Sequence, residues 1–477
     1  MTLYLHDTLT RRLQPVEPLR DQEIRMYTCG PTVYNRVHIG NFRTFIFEDV
    51  LRRWLERRYE RVVHVMNLTD VDDRIINNAR DSGHTLDEET AQWIAAFFED
   101  RDTMGIRPAH HYPRATEYIE QMVDLIERLE REGAAYRSEG SVYFSIGAFP
   151  QYGRLSGLSA DSLVAGASGR IDADDYTKED VRDFALWKAV APDAIGWNTR
   201  LGRGHPGWHI ECSAMSMALL GESFDIHCGG VDNIFPHHEN EIAQSEAATH
   251  APFVRLWCHS EHLRVAGEKM ARRTGRFLRV PEVLEQGASA AALRYLLAAS
   301  THYRKPLNYS DEPLVAAREA VERLVAFRDR VAELAVADPE ETESADAEVL
   351  TGVRQARTGF DDAMDDDLNL PEAMGAVFAT LRDVNRVLDS AAVSSESRDA
   401  LCALLDEVDD VLGVFPLVDR ARQSAGLTVE EESLLEQRSQ ARQARDFALS
   451  DRLRDELAQR RIAVEDTPAG QRWKRVA

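Results

Sequence analysis

Lysine is almost missing from this chain of 477 residues: Lys178, Lys188, Lys269, Lys305 and Lys474 are the whole set, and arginine supplies the rest of the 57 cations. Against them stand 81 acidic residues, giving a formal net charge of -24. Such a composition excludes a protein that grips a polyanion through a broad basic surface, because binding by counterion release needs many phosphate-facing cations. An acidic, lysine-poor surface is the pattern of a protein kept soluble at high salt, where charge repulsion is screened to short range. The source is accordingly read as a salt-accumulating, halophilic cell in preference to an acidic mesophile. Cysteine is scarce too. Cys29, Cys212, Cys228, Cys258 and Cys402 are odd in number and lack disulfide spacing, which excludes a disulfide scaffold and suits a reducing, cytoplasmic compartment. No run is apolar enough to span a membrane, and Met1 to Asp7 has no basic-then-apolar signal pattern, so no membrane partner is expected.

What is present begins with a length that one core rarely serves, so several domains are expected. Glu23 to Thr28 reads as a short strand ending at Cys29-Gly30-Pro31. An amphipathic helix follows, with Phe42, Phe45, Ile46, Val50, Trp54 and Leu55 largely on one face, and Arg61 to Asn67 returns as a second strand. That is a parallel crossover unit. His38-Ile39-Gly40-Asn41 therefore falls where a helix N-terminus opens beside a strand end, a place whose free amides favour phosphate oxygens. Gly40 allows close approach there, and His38 and Asn41 can add hydrogen bonds. Far downstream, Glu268-Lys269-Met270-Ala271-Arg272-Arg273-Thr274-Gly275 sets cations in a glycine-bounded loop, which suits a mobile clamp on a triphosphate.

In Phe235-Pro236-His237-His238-Glu239-Asn240-Glu241, His237 and Glu241 are one helical turn apart and share a face, whereas His238 points away from it. By itself this is an ordinary surface ion pair. With Cys29 and Cys212 beside it, one imidazole, one carboxylate and two thiolates make a tetrahedral zinc set. Cys228, next to His227, is a rival ligand or a small strand-end residue; Cys258 and Cys402 sit in apolar runs and read as core.

Taken in order, Tyr27 to Tyr34, His38 to Asn41, Asn67-Leu68-Thr69-Asp70-Val71-Asp72-Asp73, Gly207 to Met215, Phe224 to His227, His237 to Glu241 and Lys269 to Arg273 resemble the cysteinyl-tRNA synthetases, class I enzymes, over essentially the whole chain. Two positions depart from the family pattern. Asn41 stands where the first signature ends in His, keeping a donor that cannot become cationic. Ala271-Arg272-Arg273 replaces the last three residues of Lys-Met-Ser-Lys-Ser, so guanidinium takes the place of ammonium at the phosphates.

The resemblance implies ATP-dependent ligation of L-cysteine to tRNA(Cys) through a cysteinyl-adenylate. It places His38, Asn41, Lys269 and Arg272 in catalysis, with Gly40 and Asp232 joining them around ATP and its Mg2+. One Zn2+ per chain on Cys29, Cys212, His237 and Glu241 is implied to bind the substrate thiolate, with Thr69, Trp208 and His227 lining the amino-acid pocket and His209 and His238 as neighbours that support ligands, a role the helical direction of His238 opposes. Serine differs from cysteine by one atom, and apolar pockets separate such near-isosteres only about a hundredfold. Direct coordination of sulfur discriminates further and makes an editing domain unnecessary. A cysteine:amino-sugar ligase of the same superfamily and a catalytically inactive RNA-binding relative are the alternatives; the extended C-terminus, especially Val464 to Arg475, argues against the first.

The expected fold class is α/β. Residues 1-113 form the first half of a Rossmann-like catalytic domain, 114-205 a connective insertion, 206-260 the second half with the zinc helix, and 261-308 a clamp-loop and stem-contact region. Residues 309-425 read as a tRNA-binding helical bundle, broken by acidic stretches at Ala337 to Asp346 and Asp361 to Asp367, and 426-477 as a small anticodon-binding α/β domain. Trp473, between cations, either stacks a base or closes a tiny core. The expected assembly is a monomer.

Overall fold

Ile24 to Thr28 are buried without alternation, as befits a strand covered on both faces. In the computed structural model, which describes residues 2–158, 182–265, 268–269, 277–424, 429–444, 446–460, 462–467 and 470–475, this strand is central to a parallel sheet. The order is Val254–Ser260, Phe224–Gly230, Glu23–Thr28, Arg61–Met66. The chain leaves Glu23–Thr28 toward one edge and later fills the other side. The carboxyl ends of Glu23–Thr28 and Phe224–Gly230 therefore flank a topological switch point, where open α/β sheets form their ligand crevice. Met26, Ile226, Cys228 and Cys258 face the helix Ile39–Arg58 and one core, while Tyr27, Val65 and Trp257 face a second.

All six apolar positions expected to share a face of Ile39–Arg58 are buried. Between the two halves of the sheet lie Asp73–Ser82 and Leu86–Thr103, two helices that periodicity did not reveal; the second starts at a Thr85/Glu88 capping box. Ile119–Arg131 follows a short 3-10 turn, Ala115–Tyr118, and stops where Gly133 takes φ 72°. Five antiparallel strands complete the insertion, in the order Ala135–Ser138, Ser141–Phe144, Phe184–Ala189, Gly202–Pro206, Trp197–Thr199. Most of the Gly157 to Asp175 loop lies outside the described residues.

The helices Trp208–Leu220 and Glu239–Thr249 flank the returning half of the sheet. A helix beginning at His237 is corrected by the structure. Ile234–His238 is an irregular turn in which Phe235 is extended (φ -138°, ψ 132°), and the regular helix starts at Glu239.

The helices Asp311–Ala332, Pro339–Asp365, Leu370–Ser390, Ser395–Leu412 and Phe415–Ser424 follow. Both acidic breaks expected here prove to be largely helical. Glu340 and Glu341 occupy a first turn capped by Asp338, where the helix dipole favours carboxylates. At the other end Asp365 accepts from Trp54 Nε1 (3.0 Å) and Arg58 Nη2 (2.9 Å), so this acid is a contact with the catalytic half. Beyond them, Val429–Gln443, Phe447–Gln459 and the hairpin Ile462–Thr467/Gly470–Arg475 close over Leu435, Leu457 and Ile462. Trp473 is 40% exposed and stands outside that small core.

Candidate active site and metal centre

Gly30, two residues past the strand Glu23–Thr28, holds a position where a Cβ would sit 1.8 Å from the Asn67 carbonyl oxygen, so any side chain there would force the backbone to move. The turn throws Cys29 to the crevice floor. His38 caps the following helix, its Nδ1 accepting from the Asn41 amide at 3.2 Å. A Cβ on Gly40 would meet that ring at 2.8 Å. His38, Gly40, Asn41, Trp208 and Asp232 line one cleft of about 410 Å³ together with Cys29. Phe277 packs edge-on against His38, and Ile39 donates to the Leu278 carbonyl oxygen at 2.9 Å, so the segment from residue 277 onward is docked on the N-terminal end of the helix. Lys269 lies on the two-residue strand Glu268–Lys269, paired with Arg264; Arg272 lies outside the described residues.

Metal-ligand atoms of Cys29, Cys212, His237 and Glu241 all lie within 4.8 Å of one another. A second set, Cys29, His227, His238 and Glu241, satisfies the same distance. Hydrogen bonding separates them. In the first set three of the four ligands have a supporting group: His238 Nε2 is 3.2 Å from Cys29 Sγ, His227 Nε2 is 2.9 Å from Glu241 Oε2, and His209 Nδ1 is 2.9 Å from His237 Nδ1. The Tyr27 hydroxyl is buried near Cys212 without a hydrogen bond. The second set would consume the His238 and His227 contacts and leave Cys212 and His237 idle. Metal-binding imidazoles and carboxylates ordinarily have such outer partners.

The donors also fit a dication chemically. Glu241 Oε1 is buried with no hydrogen bond, although His237 Nε2 stands 3.0 Å away in poor geometry. Burial pushes the Glu241 carboxyl up, and burial together with Cys212 pushes the Cys29 thiol up. Burial holds His237 well down, with His209 and His227 adding to it, and burial takes His209 and His227 down to about 3. The protein alone thus gathers neutral donors, and a bound cation reverses that balance for the acids by stabilising their anions.

His238 does not point away from the ligand face. His238 stands three residues before Glu241 with helical backbone angles, a spacing that puts the two on one side (Nε2 4.0 Å from Glu241 Oε1), and the ring lands on Cys29. Trp208 stacks on His237 with ring centroids 4.3 Å apart. Thr69 and His227 lie one layer beneath the cleft, both buried; Thr69 accepts from Asn67 Nδ2 at 3.1 Å. Cys228 stands in register with Cys258 and belongs to the core. Tyr27, Thr8 and His259, none of them expected at the site, were missed because no local spacing links them to it.

Three family models match the chain: the tRNA synthetases class I (C) catalytic domain over residues 15–319, a DALR domain over 359–416, and the cysteinyl-tRNA ligase anticodon binding domain over 424–473. The chain is 42% identical over 476 residues to a cysteine–tRNA ligase of Brachyspira hyodysenteriae, with 99% of each covered. To that of Symbiobacterium thermophilum it is 43% identical over 477 residues, with 100% of each covered. Among solved structures, a Mycobacterium tuberculosis methionyl-tRNA synthetase in complex with methionyl-adenylate aligns with a TM-score of 0.60 at 17% identity, covering 90% of this chain and 96% of that one. An Agrobacterium radiobacter K84 LeuRS ternary complex aligns at 0.58 and 12% identity, covering 85% and 86%.

Proposed function

The chain belongs to the cysteinyl-tRNA synthetase family of class I, and from that premise we propose how its own residues carry the reaction. The protein ligates L-cysteine to tRNA(Cys) at the expense of ATP through a cysteinyl-adenylate. Attack of the cysteine carboxylate on the α-phosphate asks for positioning and charge stabilisation more than covalent chemistry. His38, Gly40 and Asn41 present the helix N-terminus to the phosphates. Asp232 reaches the ATP ribose or the substrate amine from the opposite wall. Lys269 and Arg272 close over the triphosphate, and Mg2+ enters with ATP.

Cys29, Cys212, His237 and Glu241 hold Zn2+ at the cleft floor. When bound, the metal supplies a Lewis acid that takes the substrate thiol as thiolate and discriminates against the serine hydroxyl. Trp208 closes the pocket over His237, while His227 orients Glu241 and Thr69 supports the floor. The bundle and the terminal hairpin domain engage tRNA, with Trp473 available for stacking, and the protein works as a monomer.

The observation that carries this reading is the convergence of the four ligand atoms within 4.8 Å, beside a cleft whose other wall is the His38-capped helix end. Cysteine-dependent ATP–pyrophosphate exchange and tRNA charging test it. Both are expected, with serine inert in each. Exchange without tRNA charging would point to the amino-sugar ligase, and absence of both to an inactive relative.

A further inference from the structure

A chain of hydrogen bonds leaves the metal centre and ends in the N-terminal hairpin, whose strands Tyr4–Asp7 and Arg12–Pro15 pair antiparallel. Cys29 Sγ is 3.2 Å from His238 Nε2, His238 Nδ1 is 2.7 Å from His259 Nε2, and His259 Nδ1 is 2.8 Å from Thr8 Oγ1. The participants come from four segments distant in sequence. Thr8 follows the strand Tyr4–Asp7, Cys29 ends Glu23–Thr28, His238 ends the irregular turn, and His259 lies on Val254–Ser260. The outer end is firmly placed: Thr8 donates its amide to the Trp257 carbonyl oxygen at 2.8 Å, and Asp7 Oδ1 accepts from the Trp257 amide at 3.0 Å.

Each of the two rings has both nitrogens engaged, so the tautomer of one dictates that of the other. Two directions are conceivable. Run outward, His238 would turn a bare Nε2 toward the metal, and protons on both Nδ1 atoms would point to His259 and Thr8. Run inward, the Thr8 hydroxyl donates to His259 Nδ1, His259 Nε2–H donates to His238 Nδ1, and His238 Nε2–H donates to Cys29 Sγ. A cysteine that ligates a metal is a thiolate and has no proton to give. Only the inward direction then makes all three bonds. It also agrees with the ligand set in which His238 supports Cys29 without touching the metal.

We propose that Thr8 is a positioning residue for the metal centre: its hydroxyl donates to His259 Nδ1 and so stabilises the pair of tautomers in which His238 Nε2–H holds the Cys29 thiolate. The inference rests on the zinc reading given above. Removing the hydroxyl frees His259 to adopt the opposite tautomer, which would turn His238 Nδ1 into a donor and leave Cys29 Sγ facing a bare ring nitrogen. Thr8→Val keeps the shape and removes the donor; Thr8→Ser keeps the donor.

Chelator competition on the full-length purified chain measures zinc affinity, with thermal unfolding followed alongside. Partners in direct contact with metal ligands typically change affinity about 10- to 100-fold, so a group acting through two rings is expected to weaken zinc about 3- to 10-fold in Thr8→Val. Thr8→Ser should keep the parental affinity. Ring-nitrogen NMR on the zinc-loaded parent chain should find the Nε2–H tautomer at both His238 and His259, a readout that needs no variant to fold. A proton on His238 Nδ1 overturns the proposal, as does unchanged zinc affinity in a folded Thr8→Val. A parent chain without stoichiometric zinc would overturn the metal reading first and this inference with it, and would be seen before any variant is compared.

Discussion

Oε2 of Glu241 lies 2.9 Å from Nε2 of His227, and both side chains are fully buried. The second oxygen of Glu241 has no hydrogen bond. One oxygen is thus held by the protein and the other is left for a cation.

Glu241→Gln keeps the shape and removes the anion. Zinc affinity is expected to fall by at least about 10-fold, and cysteine-dependent exchange with it, while ATP binding is little changed. Metal analysis and calorimetry on the same preparation check this. Unchanged, stoichiometric zinc in Glu241→Gln would take Glu241 out of the ligand set; Cys212→Ser and His237→Ala should behave as Glu241→Gln does.

The clamp prediction follows from Lys269 and Arg272 carrying its charges. An interaction that strengthens at the transition state lowers kcat and leaves substrate binding nearly intact. Arg272→Ala should slow adenylate formation about 100-fold, with the KM for cysteine almost unmoved. If only that KM changes, Arg272 does not act on the phosphates.

Arg294 is fully buried and holds the junction of catalytic half and bundle. Its Nη2 meets Asp49 Oδ2 at 2.5 Å, its Nε donates to the Leu412 carbonyl oxygen at 2.6 Å, and Arg53 Nε joins Asp49 at 2.8 Å. Removing Arg294 strips Asp49 of one of its two buried guanidinium partners and leaves the Leu412 carbonyl oxygen without its donor. Arg294→Ala should lower the unfolding free energy by about 3–5 kcal/mol. Changing Arg200, paired on the exposed surface with Glu120, Asp124 and Glu127, to Ala should leave the urea midpoint almost where it was. Urea titrations of equal loss in the two variants would contradict this.

His64 supplies a pH dependence. Burial, with Arg52 and His110 adding, pushes its imidazole from 6.5 to about 3, and its Nε2 lies 3.0 Å from Thr28 Oγ1. Between those values the unfolded chain takes up a proton that the folded one refuses. Stability is therefore intact above 6.5 and is lost as pH falls toward about 3. Each such histidine contributes a slope of about 1.4 kcal/mol per pH unit. His64→Gln should flatten the decline between about pH 6.5 and about pH 5 in urea unfolding; an unaltered slope would show that other groups govern it.

The acidic, lysine-poor surface leads to the last expectation. With a net charge of -24, repulsion from tRNA must be screened before short-range recognition acts. Aminoacylation and tRNA binding should rise with salt into the molar range, where a basic RNA binder loses affinity steeply. Peak activity at low salt with steady decline above it would sink the salt-adapted reading and leave the enzyme standing.

Much of this protein was legible before any coordinates, because the relevant physics is local. Six apolar residues of Ile39–Arg58 repeat with the helical period, so that helix and its buried face could be read directly. Gly30, His38 and Gly40 stand at a strand end and a helix start, and both are set by adjacent residues. The acidic stretches Ala337 to Asp346 and Asp361 to Asp367 read as breaks on charge density alone, whereas a first-turn carboxylate and a contact across to Trp54 and Arg58 both suit the one helix Pro339–Asp365. Sequence chemistry also nominated Cys29, Cys212, His237 and Glu241 as donors.

Sequence named His209 and His238 as neighbours of ligands but could not decide which donor each one supports, nor what stands behind them. Thr8 and His259 are 251 positions apart and meet only because the N-terminal hairpin lies along Val254–Ser260. His238 shares a side with Glu241 through an i,i+3 spacing, and it reaches Cys29 only because the end of Glu23–Thr28 packs against the start of Glu239–Thr249. Ligand identity was a property of residue types. Ligand support, and the choice between two overlapping donor sets, depended on side-chain directions that exist only once four segments have packed around one point.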